Sequence, residues 1–431
     1  MRIAYLAAGA AGMYCGSCLH DNTLAAALIE AGEDVLLTPT YTPMRTDEPN
    51  VAQRRVFFGG VNAYLQQASG FFRRTPRWLD RLLDNSSLLR FVTSGSGSVD
   101  PAKLGPLTVS MLRGEEGNQA KSLDTLVDWL VDEARPDVVH LSNSMLLGMA
   151  RRITQRCGPP VICALSGEDL FLEALEPPHY EQARTLLRER AAEVAAFTAL
   201  NGYYADHMSE YLGVNREKVH VVPHGLNLDG VEPRTHSDDP PDSHTIGFFA
   251  RICEAKGLHV LVEACELLAD RRPDLRFDLA AAGYLGAGDR DYLIGLHRQV
   301  DQGPLAGRFR YEGELDRAEK YDFLRSATLF STPTTFPEAK GLPALEAMAV
   351  GTPVLLPRHG SFPEMIADTQ AGLLHDPHNP AALSEAIETL LEDPAARKNY
   401  GVAGAEAIRG RYTAAQMAQK TLTVYRGLVG S

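Results

Sequence analysis

The sequence contains no uninterrupted apolar run of about 18 residues, which excludes a membrane-spanning helix. Met1-Arg2-Ile3-Ala4-Tyr5-Leu6 is too short an apolar run for a signal peptide and passes straight into a glycine turn, so a cytoplasmic location is expected. Cysteine is sparse, with six in 431 residues, which fits a reduced compartment better than a disulfide framework. Positive charge is in deficit: the net charge of −13 argues against nonspecific nucleic-acid binding. The first glycine turn, Ala7-Ala8-Gly9-Ala10-Ala11-Gly12, is not Gly-x-Gly-x-x-Gly, and Thr38-Pro39-Thr40 offers no acidic partner for a dinucleotide ribose. Both absences argue against a nicotinamide site. No tandem repeat is visible, and no Asp-x-Asp motif stands in a loop suited to holding a metal on a diphosphate. The Cys15-Gly16-Ser17-Cys18 pair, with His20, has no second pair at metal-ligand spacing, so it reads as two small thiols in a loop.

What is present is a nearly continuous alternation of short apolar runs and helix-length segments. Arg2–Ala7, Asp34–Thr38, Asp137–Leu141, Val161–Leu165 and Val219–Val222 read as strands, the first two joined by a helix over Asp21–Ala31. After the polar, proline-rich stretch 231–244, the alternation restarts with strands at Thr245–Ala250, Arg276–Ala282, Arg308–Glu312, Thr328–Ser331 and Pro353–Leu356. Helices are expected at Leu258–Ala269, Ala381–Leu391 and Ala414–Leu428. This is the pattern of α/β domains built on parallel sheets. The expected organisation is a first domain over 1–230, a linker over 231–244, a second domain over 245–415, and a last helix over 416–431 that packs back on the first domain. The segment from about 51 to 119 breaks the rhythm and reads as an insertion in the first domain. Its Phe71-Phe72-Arg73-Arg74 and Trp78 mix cations with aromatics; ordinary packing or an oligomer contact is favoured over a membrane interface that would admit a lipid-linked acceptor.

The most informative text is Glu338-Ala-Lys-Gly-Leu-Pro-Ala-Leu-Glu346, running on to Gly351 and Pro353. Pro343 suits the first turn of a helix, and Gly351 followed by Pro353 marks its end. The N–H groups around Gly341 to Leu345 would then face an anion such as a phosphate. Glu338 stands in the loop ahead of that anion site and Glu346 one turn into the helix. Two carboxylates bracketing a phosphate site suit a ligand with a diphosphate and hydroxyls, which is a sugar nucleotide. Earlier, Arg251 and Lys256-Gly257 span a strand-to-helix turn where both cations converge on one anion, Arg through a planar fork and Lys as a point charge.

Arg251…Lys256-Gly257 and Glu338…Gly341-Leu342-Pro343…Glu346 resemble the signature of retaining glycosyltransferases of family four (glycosyl transferases group 1), which have the GT-B fold, two Rossmann-like parallel-sheet domains facing a central cleft. Val222-Pro223-His224-Gly225-Leu226-Asn227 is similar to that family's turn into the linker, and Gly360-Ser361-Phe362-Pro363-Glu364 to its Gly-Gly-x-Pro-Glu segment. The resemblance is close over about 245–415 and looser before. It implies that Arg251, Lys256, Gly341 and Leu342 hold the donor diphosphate, that Glu338 faces the transferred sugar, and that Glu346 binds ribose. On the acceptor side it implies that Gly12 and Asp169 face the cleft and that His140, in the family-like string Asp137-Val-Val-His140, lies near the reacting carbon. The family often carries an aromatic residue where Lys340 stands, and a histidine where Ser166 stands before Gly167.

The expected activity is transfer of a hexosyl unit from a nucleotide-diphosphate sugar to a carbohydrate or lipid-linked acceptor in the interdomain cleft. No cofactor is expected: Arg251, Lys256 and the helix amides take the place of a metal at the departing diphosphate. Two alternatives stand beside it. A sugar-nucleotide epimerase shares the two-lobed architecture but needs no acceptor. A glycogen- or starch-synthase-like glucosyltransferase fits the insertion, although the Lys-x-Gly-Gly motif of those enzymes is absent. A degenerate, non-catalytic binding protein is disfavoured by the intact Arg251, Lys256, Glu338 and Glu346 set.

Overall fold

The short apolar runs, separated by helices too long for hairpin turns, can pair only in parallel. They form two parallel sheets in the computed structural model, which describes residues 1–9, 16–53, 55–58, 65–67, 104–234 and 244–430. The first six strands are β1 Arg2–Ala7, β2 Asp34–Pro39, β3 Val138–Leu141, β4 Val161–Leu165, β5 Ala196–Ala199 and β6 Val219–Val221. They lie in the order β2-β1-β3-β4-β5-β6, every pairing parallel. The second six are β7 His244–Phe249, β8 Phe277–Ala282, β9 Phe309–Tyr311, β10 Leu329–Ser331, β11 Val354–Pro357 and β12 Gly372–His375. Their order is β12-β11-β10-β7-β8-β9, again all parallel. This is the two-domain α/β class expected from the sequence.

The chain divides into a first unit of residues 1–225 and 414–431 and a second of 226–413. The helix Ala414–Val429 belongs to the first unit, where Met417, Ala418, Leu422 and Tyr425 join Ile3, Tyr5, Leu24, Leu28 and Val138 in one buried cluster. In the second unit the helices Leu258–Arg271 and Pro380–Glu392 bury Leu261, Leu268, Ile387 and Leu390 with Phe248 and Leu279 of the sheet. Strands covered by helices on both faces read as near-continuous apolar runs, which is why most were visible in the sequence.

β5 and β12 were not. Ala196-Phe197-Thr198-Ala199 follows the alanine-rich end of the helix His179–Ala191 with no turn signal of glycine or proline, so it reads as more helix. Gly372–His375 opens on a glycine and contains no β-branched residue. The inserted stretch is partly described: helices Gly105–Leu112 and Ala120–Trp129 pack within the first unit, with the Phe57 ring 5.0 Å from that of Trp129. Phe71–Trp78, Gly12 and Cys15 lie outside the described residues.

Each sheet has one place where successive connections leave in opposite directions, between β1 and β3 and between β7 and β10. In open parallel sheets the loops at the carboxyl ends diverge there and leave a crevice for a ligand.

Candidate active site

At the β7/β10 switch point the loops from the two strands are tied together. Thr335 donates its N–H to the Ala255 carbonyl at 2.9 Å. Gly257 has φ +79°, and a Cβ there would lie 1.8 Å from the Pro333 carbonyl oxygen, so only glycine allows this approach. The loop after β11 closes the third side: Ser361 donates its N–H to the Glu338 carbonyl at 2.8 Å. A Cβ on Gly360, at φ +59°, would meet the Glu338 backbone at 2.5 Å. The family-like Gly360-Ser361 segment therefore has a local cause: it lets one loop rest on the backbone of another.

This scaffold brings Lys256 and Glu338 together. Lys256 Nζ is 2.5 Å from Glu338 Oε2 and sits 4.9 Å from the centre of the Phe336 ring. Glu338 Oε1 accepts the Lys340 N–H at 3.2 Å. Burial opposes ionisation of Glu338, but the neighbouring Lys256, with the hydrogen bond it donates, and the Lys340 N–H hold the carboxyl below its usual range. Arg251 leaves the end of β7 and pairs through its Nη2 with Asp289 Oδ2 at 2.8 Å. Asp289 belongs to the string Asp289-Arg290-Asp291 at the start of the helix Arg290–Gln302, where its carboxylate serves the arginine.

The helix Leu342–Ala349 begins where the sequence placed it, with Gly341 as its cap residue. Its amide supply is smaller than the sequence suggested. Ala344 and Leu345 both donate to the Gly341 carbonyl, at 3.0 and 3.2 Å, and Pro343 has no N–H. Gly341 and Leu342 remain as the N–H donors of the helix start. Glu346, one turn further, is 2% exposed, and its Oε1 accepts from Lys320 Nζ at 2.6 Å. Lys320 is on the helix Arg317–Ser326. Nothing in Asp316-Arg-Ala-Glu-Lys320-Tyr-Asp marks that lysine as buried; its charged neighbours read as a solvated face.

The first unit has its own switch point at β1 and β3. Ser142, just past β3, accepts the Ala8 N–H on its hydroxyl at 3.1 Å and so anchors the glycine turn. Glu168, which the sequence reading passed over for its neighbour, is 6% exposed. It accepts the Ser144 N–H at 2.9 Å and the Ser166 N–H at 2.7 Å, clamping the loops after β3 and β4. Asp169 accepts from the Tyr204 hydroxyl at 2.7 Å and faces His207 Nε2 at 3.0 Å. Burial works against its ionisation, yet His207 and Tyr204 hold it below the usual carboxylate range.

His140 is the third residue of β3 and is 1% exposed. Its ring stacks on Tyr5 with centres 4.4 Å apart, and Nδ1 lies 2.5 Å from the Tyr425 hydroxyl oxygen. The structure thus packs its Nδ1 side against Tyr425, while Nε2 has no hydrogen-bond partner among the described residues. Burial, with His20 nearby, pushes its pKa down to about 3. The unfolded chain therefore takes up this proton first as pH falls, from an ordinary value near 6.5, and stability drops through the window between the two. Between pH 6.5 and 4.5 the unfolding free energy of His140→Gln is expected to fall less steeply than that of the wild type, by about 1.4 kcal/mol per pH unit. Urea titrations across that range measure it, and parallel slopes would contradict it.

Among the described residues no group of three or more His, Cys, Asp or Glu side chains is arranged to hold a metal ion, and no helix is long and apolar enough to cross a membrane.

Comparison with known proteins agrees with this fold. A family model described as glycosyl transferases group 1 matches residues 233–407, and one described as a glycosyl transferase 4-like domain matches 22–225. The chain is 31% identical over 281 residues to the D-inositol 3-phosphate glycosyltransferase of Paenarthrobacter aurescens, covering 62% of this chain and 67% of that protein. It is 32% identical over 216 residues to the phosphatidyl-myo-inositol mannosyltransferase of Mycobacterium tuberculosis, covering 49% of this chain and 54% of that protein. Among solved structures, Anabaena HepE in complex with UDP superposes with a TM-score of 0.68 at 17% identity, over 99% of this chain and 100% of that one. Sucrose-phosphate synthase of Thermosynechococcus elongatus gives 0.71 at 17% identity over 100% of both chains. At such identities these two structures establish a shared fold.

Proposed function

The chain belongs to the glycosyl transferases group 1 family, and from that premise we propose that it transfers a hexosyl unit, with retention of anomeric configuration, from a nucleotide-diphosphate sugar to a hydroxyl of a carbohydrate or lipid-linked acceptor. The observation that supports this reading most is the Lys256–Glu338 pair at the β7/β10 switch point of the second sheet, with Arg251 two residues past β7 and the helix start at Leu342 in the connection that follows β10. The diphosphate takes the cations and the N–H groups of Gly341 and Leu342, the transferred sugar lies against Glu338, and the ribose lies at Glu346.

In this reading the departing nucleoside diphosphate gains negative charge as the glycosidic bond breaks. Lys256 and Arg251 are already held by carboxylates on the protein, so little reorganisation is needed for them to meet that charge. Glu338, kept ionised by Lys256, presents a carboxylate to hydroxyls of the sugar. Asp169 and the turn containing Gly12 are assigned to the acceptor side. The relatives' names make an inositol phosphate and a phosphatidylinositol the first acceptors to assay.

Incubation with UDP-, GDP- and ADP-sugars and these acceptors tests the proposal. Acceptor-dependent release of free nucleoside diphosphate, with a glycosidic product of unchanged anomeric configuration by NMR, is the expected result. Conversion of the donor to another nucleotide sugar without release would establish an epimerase instead. The cations are proposed to make a metal unnecessary at the diphosphate. Turnover is therefore expected to persist in excess EDTA, and activity abolished by EDTA and restored by Mg²⁺ or Mn²⁺ would contradict it.

A further inference from the structure

Lys320 and Glu346 are 3% and 2% exposed and form an ion pair between two packed helices. Two apolar side chains of the same volume would fill this space at least as well, because desolvating both charges offsets most of their attraction. The pair therefore asks for a reason other than stability. The helix that carries Lys320 is itself fixed at its start by a reciprocal cap: Glu319 donates its N–H to Asp316, and the Glu319 carboxylate accepts the Asp316 N–H, both at 2.9 Å. The ammonium also lies 5.1 Å from the centre of the Tyr321 ring, which narrows its range of positions further. A cation so constrained fixes the position of the Glu346 Oε1 that it holds.

We propose that Lys320 is the positioning residue of nucleotide recognition: by fixing and charge-balancing Glu346 it makes that carboxylate an oriented, ionised acceptor for the ribose diol. This rests on the reading of Glu346 as the ribose ligand. A vicinal diol presents two O–H donors, and an ionised carboxylate accepts both while a protonated or rotated one does not. Lys320 acts through Glu346 and touches no part of the nucleotide.

The test is the ribose selectivity of binding, measured by calorimetry with UDP, GDP and ADP, each beside its 2′,3′-dideoxy form. The wild type is expected to prefer the ribose form of its nucleotide by about tenfold or more. Lys320→Met is expected to bring that ratio below about threefold while binding of the dideoxy form changes by less than about twofold. Misfolding or loosened packing would weaken both forms alike. In the Glu346→Gln background, which removes the carboxylate, adding Lys320→Met is expected to change neither affinity; this neutral pair stays measurable even where the single lysine variant does not fold. A wild-type ratio retained in Lys320→Met, or a further loss in the double variant, would overturn the proposal. A wild type without ribose selectivity would overturn the assignment of Glu346, and the proposal with it.

Discussion

Lys256→Ala is expected to lower kcat/KM by about 100-fold or more, corresponding to about 3 kcal/mol of transition-state stabilisation. Lys256 lies in the connection after β7, and its ammonium is fixed by Glu338 at 2.5 Å. Charge that grows on a departing diphosphate meets it without prior rearrangement. Removing it has a second consequence: Glu338 loses the main partner that opposes the effect of burial, so its pKa rises. The two effects separate in Glu338→Gln, which keeps the lysine. That variant is expected to retain nucleoside diphosphate affinity within about threefold while turnover falls, because its carboxylate acts on the sugar. Steady-state kinetics, with circular dichroism to confirm folding, measure both. Near-normal turnover in Lys256→Ala would remove the diphosphate assignment.

Breaking the Lys320–Glu346 pair from one side is expected to give the largest loss of stability among these variants. Lys320→Met takes the ammonium away from a buried carboxylate and Glu346→Gln the carboxylate away from a buried ammonium, and each is expected to destabilise the second unit by about 3–5 kcal/mol. The double variant removes both charges and is expected to recover most of that loss. Denaturant unfolding of the four proteins closes the cycle. Single variants within about 1 kcal/mol of the wild type would show that the pair is not the desolvated contact its burial indicates.

The parallel two-sheet architecture was legible because buried strands are apolar along their whole length and the helices between them are long. The order of the strands was not legible, since each sheet reverses direction at β3 or β10 without a mark in the sequence. That order decides which loops meet. Arg251, Lys256 and Glu338 were identifiable as chemistry-bearing residues near strand ends, but the meeting of Lys256 with Glu338 depends on β10 returning beside β7. Lys320 could not be found from sequence: a lysine in a charged helical stretch is ordinarily solvated, and only the packing of that helix against Leu342–Ala349 buries it. Glu168 was hidden for a different reason. It stands beside Asp169, and which of two adjacent carboxylates turns inward is settled by the local backbone, here by the N–H groups of Ser144 and Ser166. His140 shows the converse. Its place near a strand's end was legible, whereas its contacts with the Tyr5 ring and with the Tyr425 hydroxyl, the latter supplied from residue 425 at the other end of the chain, were not.

The most direct test of the central claim is a crystal structure of the protein with the nucleoside diphosphate that raises its melting temperature most. The account predicts the diphosphate at the carboxyl ends of β7 and β10, within hydrogen-bond reach of Arg251, Lys256 and the Leu342 N–H, with the ribose hydroxyls on Glu346. A nucleotide bound at the β1/β3 switch point of the first sheet, or one at β7/β10 with its phosphates away from Arg251 and Lys256, would contradict it.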